Sequence, residues 1–466
     1  MNDTKFNFKY ILFLALVSAM GGFLFGYDWV VIGGAKPFYE LYFGISDLPT
    51  WQGWAMSSAL IGCVFGAILS GLLSDKWGRK NALILAAALF VFSAFGTGYA
   101  TDFKVFIIYR LIGGLGIGLA STLSPIYIAE ISPAKYRGRL VAINQLTIVV
   151  GILCAQVANW GIADAIPTSL STTGILDSWN GQTGWRWMFW AELIPAGLFF
   201  LLMFLVPKSP RYLVKMNKND KAIAILEKIG GKPYAVSEIQ NMELTLKKDT
   251  GKKFSIGELR DPKIFPILVI GIVIAVFQQW CGINIIFNYA EEIFTAAGYS
   301  VGDMLFNIII TGSVNLIFTF VAMRTVDSWG RRKLMLIGAI GLAVVYALLG
   351  CAYYFGFSGW PVLVLVIMAI AIYAMSLAPL TWVVLSEIFP NRLRGVAMSI
   401  ATFSLWVASF ILTFTFPILN EVLGSYGTFW VYSLICILGY LFIKTKLPET
   451  KGKSLEEIEF ELTNEK

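Results

Sequence analysis

Asp75-Lys76-Trp77-Gly78-Arg79-Lys80 returns in the second half of the chain as Asp327-Ser328-Trp329-Gly330-Arg331-Arg332. A second stretch, Glu130-Ile131-Ser132-Pro133-Ala134-Lys135-Tyr136-Arg137-Gly138, returns in the same order as Glu387-Ile388-Phe389-Pro390-Asn391-Arg392-Leu393-Arg394-Gly395. A weaker third pair sets Val206-Pro207-Lys208-Ser209-Pro210-Arg211 against Leu447-Pro448-Glu449-Thr450-Lys451-Gly452. Three words recurring in one order at one offset mark two structural repeats.

The words lie at the ends of long apolar runs. Apolar residues make up 57% of the 466, aromatics 15% and charged residues 14%, against about 25% charged residues in a soluble domain. With a mean hydropathy of +0.71, one soluble core cannot hide so much apolar side chain. The chain is an integral membrane protein, which excludes a soluble enzyme, a nucleic-acid binder and a disordered scaffold. A span needs about 20 apolar residues. Such runs begin near Tyr10, Ala55, Asn81, Lys104, Arg139 and Trp187, then near Phe265, Met304, Leu334, Pro361, Val396 and Thr428, which makes twelve. The first is longer than a cleavable leader's apolar core and no cleavage motif follows it, so it reads as a span.

Charge tests the count independently. With both termini inside, 32 of the 36 Lys and Arg residues fall at the ends or in even-numbered connections, and only Lys36, Lys104, Arg110 and Arg186 do not. That asymmetry is the positive-inside rule and predicts cytoplasmic termini. The net charge of +7 is thus a property of the cytoplasmic face, and nucleic acid is not implied. The predicted units are a six-helix bundle over 1–206, a linker over 207–262, a second six-helix bundle over 263–446 and a tail over 447–466. In the linker, Ala222, Ile223, Leu226 and Ile229, with Ile256 and Leu259, predict amphipathic helices on the cytoplasmic face that bridge the halves.

Histidine is absent, so proton chemistry must use carboxylates and no histidine triad or metal site exists. The five cysteines stand singly in apolar runs, as free buried thiols do. Gly113-Gly114-Leu115-Gly116-Ile117-Gly118 follows no strand and sits within a span, where small residues let helices approach closely. No cofactor, metal or catalytic constellation is called for.

Parallel six-helix repeats joined by a cytoplasmic linker are the plan of the major facilitator fold. Asp75 to Arg79, Arg110-Leu111-Ile112-Gly113-Gly114 through Pro125-Ile126-Tyr127, Gln278-Gln279-Trp280-Cys281-Gly282-Ile283-Asn284 and Pro448-Glu449-Thr450-Lys451-Gly452 extend the match. The sequence resembles the sugar porter family throughout its length, and within it is similar to bacterial D-xylose–proton symporters. The resemblance implies a monosaccharide, D-xylose or a hexose, moved with a proton across a bacterial inner membrane by alternating access, in a protein functional as a monomer. A facilitative uniporter is the rival reading. A sugar sensor is a further one, but the short stretch after Pro448 offers no output module.

Amides and tryptophans within the spans suit a neutral sugar: amides match hydroxyls that donate and accept, and aromatic rings match the C–H face. Gln145, Gln278, Gln279, Asn284, Asn288, Asn315, Trp382 and Trp406 are the candidates, all but Asn288 assigned to the sugar site by the resemblance. A lone Gln or Asn more often joins helices. Gln278 and Gln279, however, point about 100° apart on a helix and cannot share one seam, and Gly282 eases local unwinding. Two departures from the family, Asn288 before Tyr289 and Leu405 before Trp406, bear on sugar choice.

Acids and arginines at repeated positions, Asp75, Arg79, Glu130 and Arg137 with Asp327, Arg331, Glu387 and Arg394, suit a cytoplasmic gate that holds the halves together when the site faces outward. The resemblance implies the same latch. Lys208 stands where the family usually carries an acid. Asp28 lies deep in the first span, and Arg110, equally isolated in the fourth, is its predicted partner. Burial favours a protonated acid and a nearby guanidinium favours a carboxylate, so modest movement switches proton occupancy. A static buried ion pair is the alternative. The resemblance places Asp28 at the coupling position.

Overall fold

The computed structural model describes residues 6–164, 171–249, 260–389, 393–451 and 457. The side chains of 245–249, 301–302 and 326–328, including Asp327, lie outside that description, as do Ile256 and Leu259. Among the described residues all regular structure is helical. Six spans form the first half: Phe8–Phe43, Pro49–Trp77, Arg79–Tyr99, Phe103–Ile131, Ala134–Ile162 and Asn180–Leu205. The second half holds Phe265–Asn288, Asp303–Thr325, Arg331–Tyr354, Trp360–Ile388 and Arg394–Lys446. The last of these runs 53 residues, about 80 Å at 1.5 Å per residue and more than twice the hydrocarbon core. Its backbone leaves helical geometry at Gly424, φ 66° and ψ 170°. It is therefore two spans, 394–423 and 425–446, and the number read from the sequence stands.

Local chemistry sets the starts. The Asp102 carboxylate accepts from the backbone amides of Lys104 and Val105 at 2.8 and 3.3 Å, opening the fourth span. The Ser300 hydroxyl accepts from Asp303 N at 3.3 Å before the eighth. Such caps satisfy amides that the first turn leaves without a carbonyl. The third and ninth spans open on the repeated glycines, Gly78 (φ 83°, ψ 160°) and Gly330 (φ 90°, ψ 152°). A side chain there would be strained. The repeated word is thus a reversal between two spans, and both copies adopt the same backbone.

Within the first half, glycines set the helix spacing. A β-carbon at Gly114 would collide with the Ala59 carbonyl, and one at Gly118 with that of Cys63. The fourth span therefore lies directly on the second, as small residues permit in lipid. Gly26 and Gly151 meet the Ile148 and Phe23 carbonyls in the same manner, joining the first and fifth spans. Across the halves, the second span packs on the eleventh, the fifth on the eighth and the first on the seventh.

The linker forms helices Pro210–Lys215 and Asn219–Asp249, the latter broken at Gly231. Ala222, Leu226, Ile229, Ala235 and Ile239 bury against Ile11, Ala15, Ile128 and Leu140, beside the first, fourth and fifth spans. Each fully buried Leu or Ile contributes about 1.5–3 kcal/mol. The described linker is thus a cover on the first half, at the end of the bundle that carries both termini. Its predicted face is the one buried, with Ile223 half-buried at the margin.

A direct check is Gly114→Val. Branching a side chain into the Ala59 carbonyl forces the second and fourth spans apart at about 1–3 kcal/mol or more. The expected result is a lower melting temperature in detergent and reduced membrane yield.

Candidate functional site

The seventh span is not one helix. Phe265–Trp280 ends at Cys281, Gly282 takes φ 87°, and a new helix runs Ile283–Asn288 before Tyr289 breaks it again. A β-carbon at Gly282 would lie 2.9 Å from the Tyr432 ring, so the break is packed within protein, where interrupted helices are tolerated. Its effect is to bring Gln278, Gln279 and Asn284 into one hydrogen-bonded chain. The Asn284 amide nitrogen donates to Gln279 Oε1. The Gln279 Nε2 donates to Gln278 Oε1 at 2.6 Å, and Gln278 Nε2 to the Tyr373 hydroxyl at 2.6 Å. All three amides are buried, at 6, 6 and 8% exposure. Unwinding at Gly282 follows the sequence expectation; the direct bond between the two glutamines does not, because side-chain length closes the 100° that separates their Cβ directions.

Other buried polar atoms of the bundle lack partners. Asn288 Oδ1, Trp406 Nε1 and both polar atoms of Gln156 are buried and unpartnered among the described residues. Buried polar atoms are nearly always hydrogen-bonded, and these retain their full hydrogen-bonding capacity. Gln156 lies against Gly312, three residues before Asn315 on the eighth span, and follows Gln145 on the fifth by eleven residues, about three turns on one face. The Trp406 ring packs on Phe25 and Trp29 of the first span at centroid separations of 5.8 and 6.0 Å. Asn315 is buried at 6% and Trp382 is 37% exposed. Gln145 and Trp382 make no side-chain hydrogen bond among the described residues.

Asp28 and Arg110, each 2% exposed, form an ion pair between the first and fourth spans. The guanidinium also reaches the Asp28 carbonyl at 3.4 Å and lies over the Phe189 ring at 5.9 Å. Asp28 Oδ2 has no hydrogen-bond partner and rests against Gly113, whose missing β-carbon leaves it room. Glu192 of the sixth span is also buried, at 2% exposure. Asp28 also sits between Phe25 and Trp29, the residues that touch Trp406, so its helix links acid to amide cluster.

At the end bearing the termini, the repeated charges pair within each half. Arg79 meets Glu130 at 2.9 Å, and the Ser209 hydroxyl donates to the same carboxylate. Arg331 meets Glu387 at 3.2 Å, and the Thr450 hydroxyl donates to Glu387 at 2.6 Å. Asp75 pairs instead with the linker's Lys215 at 2.9 Å. Arg137 and Arg394 donate to the carbonyls of Ala129 and Phe389 at 3.1 and 3.4 Å. These ion pairs each lie within one half, whereas the latch expected from the sequence joins the two halves. The twofold likeness fails at one point. Glu449 accepts from the backbone amides of Arg331 and Arg332 at 2.9 and 3.1 Å, capping the ninth span. Its counterpart Lys208 turns over the Tyr212 ring at 5.8 Å and cannot accept a hydrogen bond.

Residues 14–462 match the family described as Sugar (and other) transporter. The chain is 38% identical to the D-xylose-proton symporter of Escherichia coli (strain K12), over 98% of this chain and 96% of that one. It is 39% identical to the arabinose-proton symporter of Bacillus subtilis (strain 168), over 97% and 94%. It superposes on the inward-open xylose transporter of E. coli with a TM-score of 0.84 at 37% identity, covering 97% of this chain and 99% of that one. The chain belongs to the sugar transporter family.

The transporter has the helical major facilitator fold and is not an enzyme. Sequence reading missed four site residues. Tyr373 and Gln156 are single polar residues whose neighbours lie on other helices. Glu192, the lone acid in an apolar run, carried a readable signal. Glu449 was legible as part of a motif but not as a cap. Glu449→Ala should cost about 0.5–2 kcal/mol, the range for a lost N-terminal cap, read as a lower melting temperature with membrane insertion intact.

Proposed function

We infer that the transporter is a proton-coupled monosaccharide symporter with D-xylose as its best substrate and D-glucose also bound. The observation that carries this is the Asp28–Arg110 pair, buried on the helix whose Phe25 and Trp29 touch Trp406. The amide chain with Asn288, Asn315, Gln145 and Trp406 takes the sugar hydroxyls, and the tryptophans take its C–H face. Gln278 and Gln279 each donate and accept once within the chain, whereas Asn284 only donates, so Asn284 keeps the most free valences for the ligand. The moving units are 1–206 and 263–446, joined by the 207–262 linker. The end carrying the termini is cytoplasmic, in a bacterial inner membrane. When that end closes, the Arg79–Glu130 and Arg331–Glu387 groups exchange partners across the halves.

Coupling follows from the acid's two environments. Beside Arg110 the carboxylate is stabilised; withdrawn from it in a dry span, Asp28 takes a proton. One proton moving down about 100 mV supplies about 2.3 kcal/mol, enough for roughly 50-fold accumulation. Asp28→Asn should abolish accumulation in energised vesicles while counterflow in de-energised liposomes persists. Accumulation that survives in the variant removes Asp28 from coupling, and a wild type indifferent to the gradient is a facilitator.

The sugar site has its own test. Gln279→Ala removes an amide from the middle of the chain and should weaken D-xylose binding about tenfold, the loss of about 1.4 kcal/mol, in protein that still folds and inserts in the membrane. In a counterflow panel D-xylose should compete best. Strong exchange of an inositol or a disaccharide, with indifference to xylose and glucose, overturns the substrate assignment.

A further inference from the structure

At the end of the bundle opposite the termini lies a second buried charge cluster. Lys36 of the first span, 1% exposed, contacts Glu40 on its own helix at 3.0 Å. It also contacts Glu291 at 3.0 Å and Glu292 at 2.7 Å, both on Ala290–Ala296 just beyond the broken seventh span. Lys36 thus bridges the halves, whereas the repeated acid–arginine pairs at the other end lie within one half. The backbones meet at the same place: a β-carbon at Gly33 would lie 3.0 Å from the Phe287 carbonyl and 3.1 Å from that of Asn288. Lys36 and its acids therefore sit where the first span closes over Asn288.

The charges do not balance. Three carboxylates surround one ammonium, and no second cation reaches salt-bridge distance of them among the described residues. Gln52 of the second span donates to Glu40 Oε2 at 3.1 Å. The other groups facing the cluster are Tyr39 and the Tyr289 ring, 5.9 Å from Lys36 Nζ, and neither brings positive charge. Arg110, the partner of the first span's other buried charge, is held by Asp28. Glu40 Oε1 and Glu292 Oε2 are buried without a donor. A buried ionised carboxylate needs its oxygens satisfied, and neighbouring carboxylates cannot all ionise. One proton shared among the three carboxylates relieves their excess negative charge.

We propose that Lys36, Glu40, Glu291 and Glu292 form an outer clamp that shuts the sugar path on the extracellular side and binds one proton from outside each time it closes. This rests on the alternating-access reading above. When the clamp opens, water reaches Glu291 and Glu292, the shared proton leaves to solvent, and Lys36 keeps only Glu40. Low external pH therefore favours closure and inward exposure, in the direction of uptake.

The test uses the full-length protein in lipid nanodiscs, with Cys154→Ser and Cys351→Ser to remove the accessible thiols. Spin labels are placed on Asp47→Cys and Phe357→Cys, exposed connections of the two halves at this end. Pulsed electron–electron distances are recorded from pH 6 to pH 8.5 without sugar. The wild-type clamp should lose short-distance population as pH rises. Lys36→Met should raise the ratio of long to short distances about tenfold or more at every pH, and Lys36→Arg should restore it. Glu291→Gln with Glu292→Gln should open the clamp and flatten the pH response, which carries the test if Lys36→Met does not fold. Distances indifferent to both variants, or a pH response unchanged in the double glutamine variant, overturn the clamp. D-xylose counterflow by the same wild-type protein reconstituted in sealed liposomes keeps the two readings apart: exchange without a clamp response sinks the clamp alone, and absent exchange sinks the transport reading.

Discussion

A charge withdrawn from water must meet an opposite charge, and in a membrane that requirement reaches across helices. The first span carries Asp28, Lys36 and Glu40, all buried. Asp28 ties it to the fourth span through Arg110, and Lys36 ties it to the far half through Glu291 and Glu292. Its glycines let it lie against the fifth span and the broken seventh. The first span is therefore the member on which the acid, the aromatic contact to Trp406 and the charge bridge all act.

The broken seventh span meets the complementary requirement for backbone and amide groups. Interrupting a helix exposes amides and carbonyls, which hydrocarbon cannot satisfy. Here the interruption is covered by Tyr432, and the freed geometry lets three amides join end to end with Tyr373. Such a chain is internally satisfied on one side and offers donors and acceptors on the other. Ordering is thus complete before a ligand arrives, which lowers the entropy lost on binding.

Periodic and repeated features were the legible ones. Twelve spans, the repeat, the helix-packing glycines and the linker face all follow from patterns along the chain. Contacts between helices distant in sequence were not. Asp28 and Arg110 were paired because each stood alone in an apolar run, and that scarcity substituted for distance information. Lys36 had the same signal, yet registered only as an exception to the charge rule. Its partners Glu291 and Glu292 follow a helix break whose direction no periodicity predicts. Gln156 and Tyr373 are ordinary side chains until the opposing helix is known. The repeated acids and arginines were legible as a group, whereas the assignment of pairs within a half depends on the conformation.

Glu449 changes the status of the segment after the last span. Its carboxylate holds the amides that begin the ninth span, while Thr450 holds Glu387. The segment is consequently a staple of the second half, and any affinity tag or fluorescent fusion belongs beyond Lys451. A fusion that replaces Glu449-Thr450 would loosen two helices at once, and a transport defect in such a reporter would reflect the graft instead of the chain.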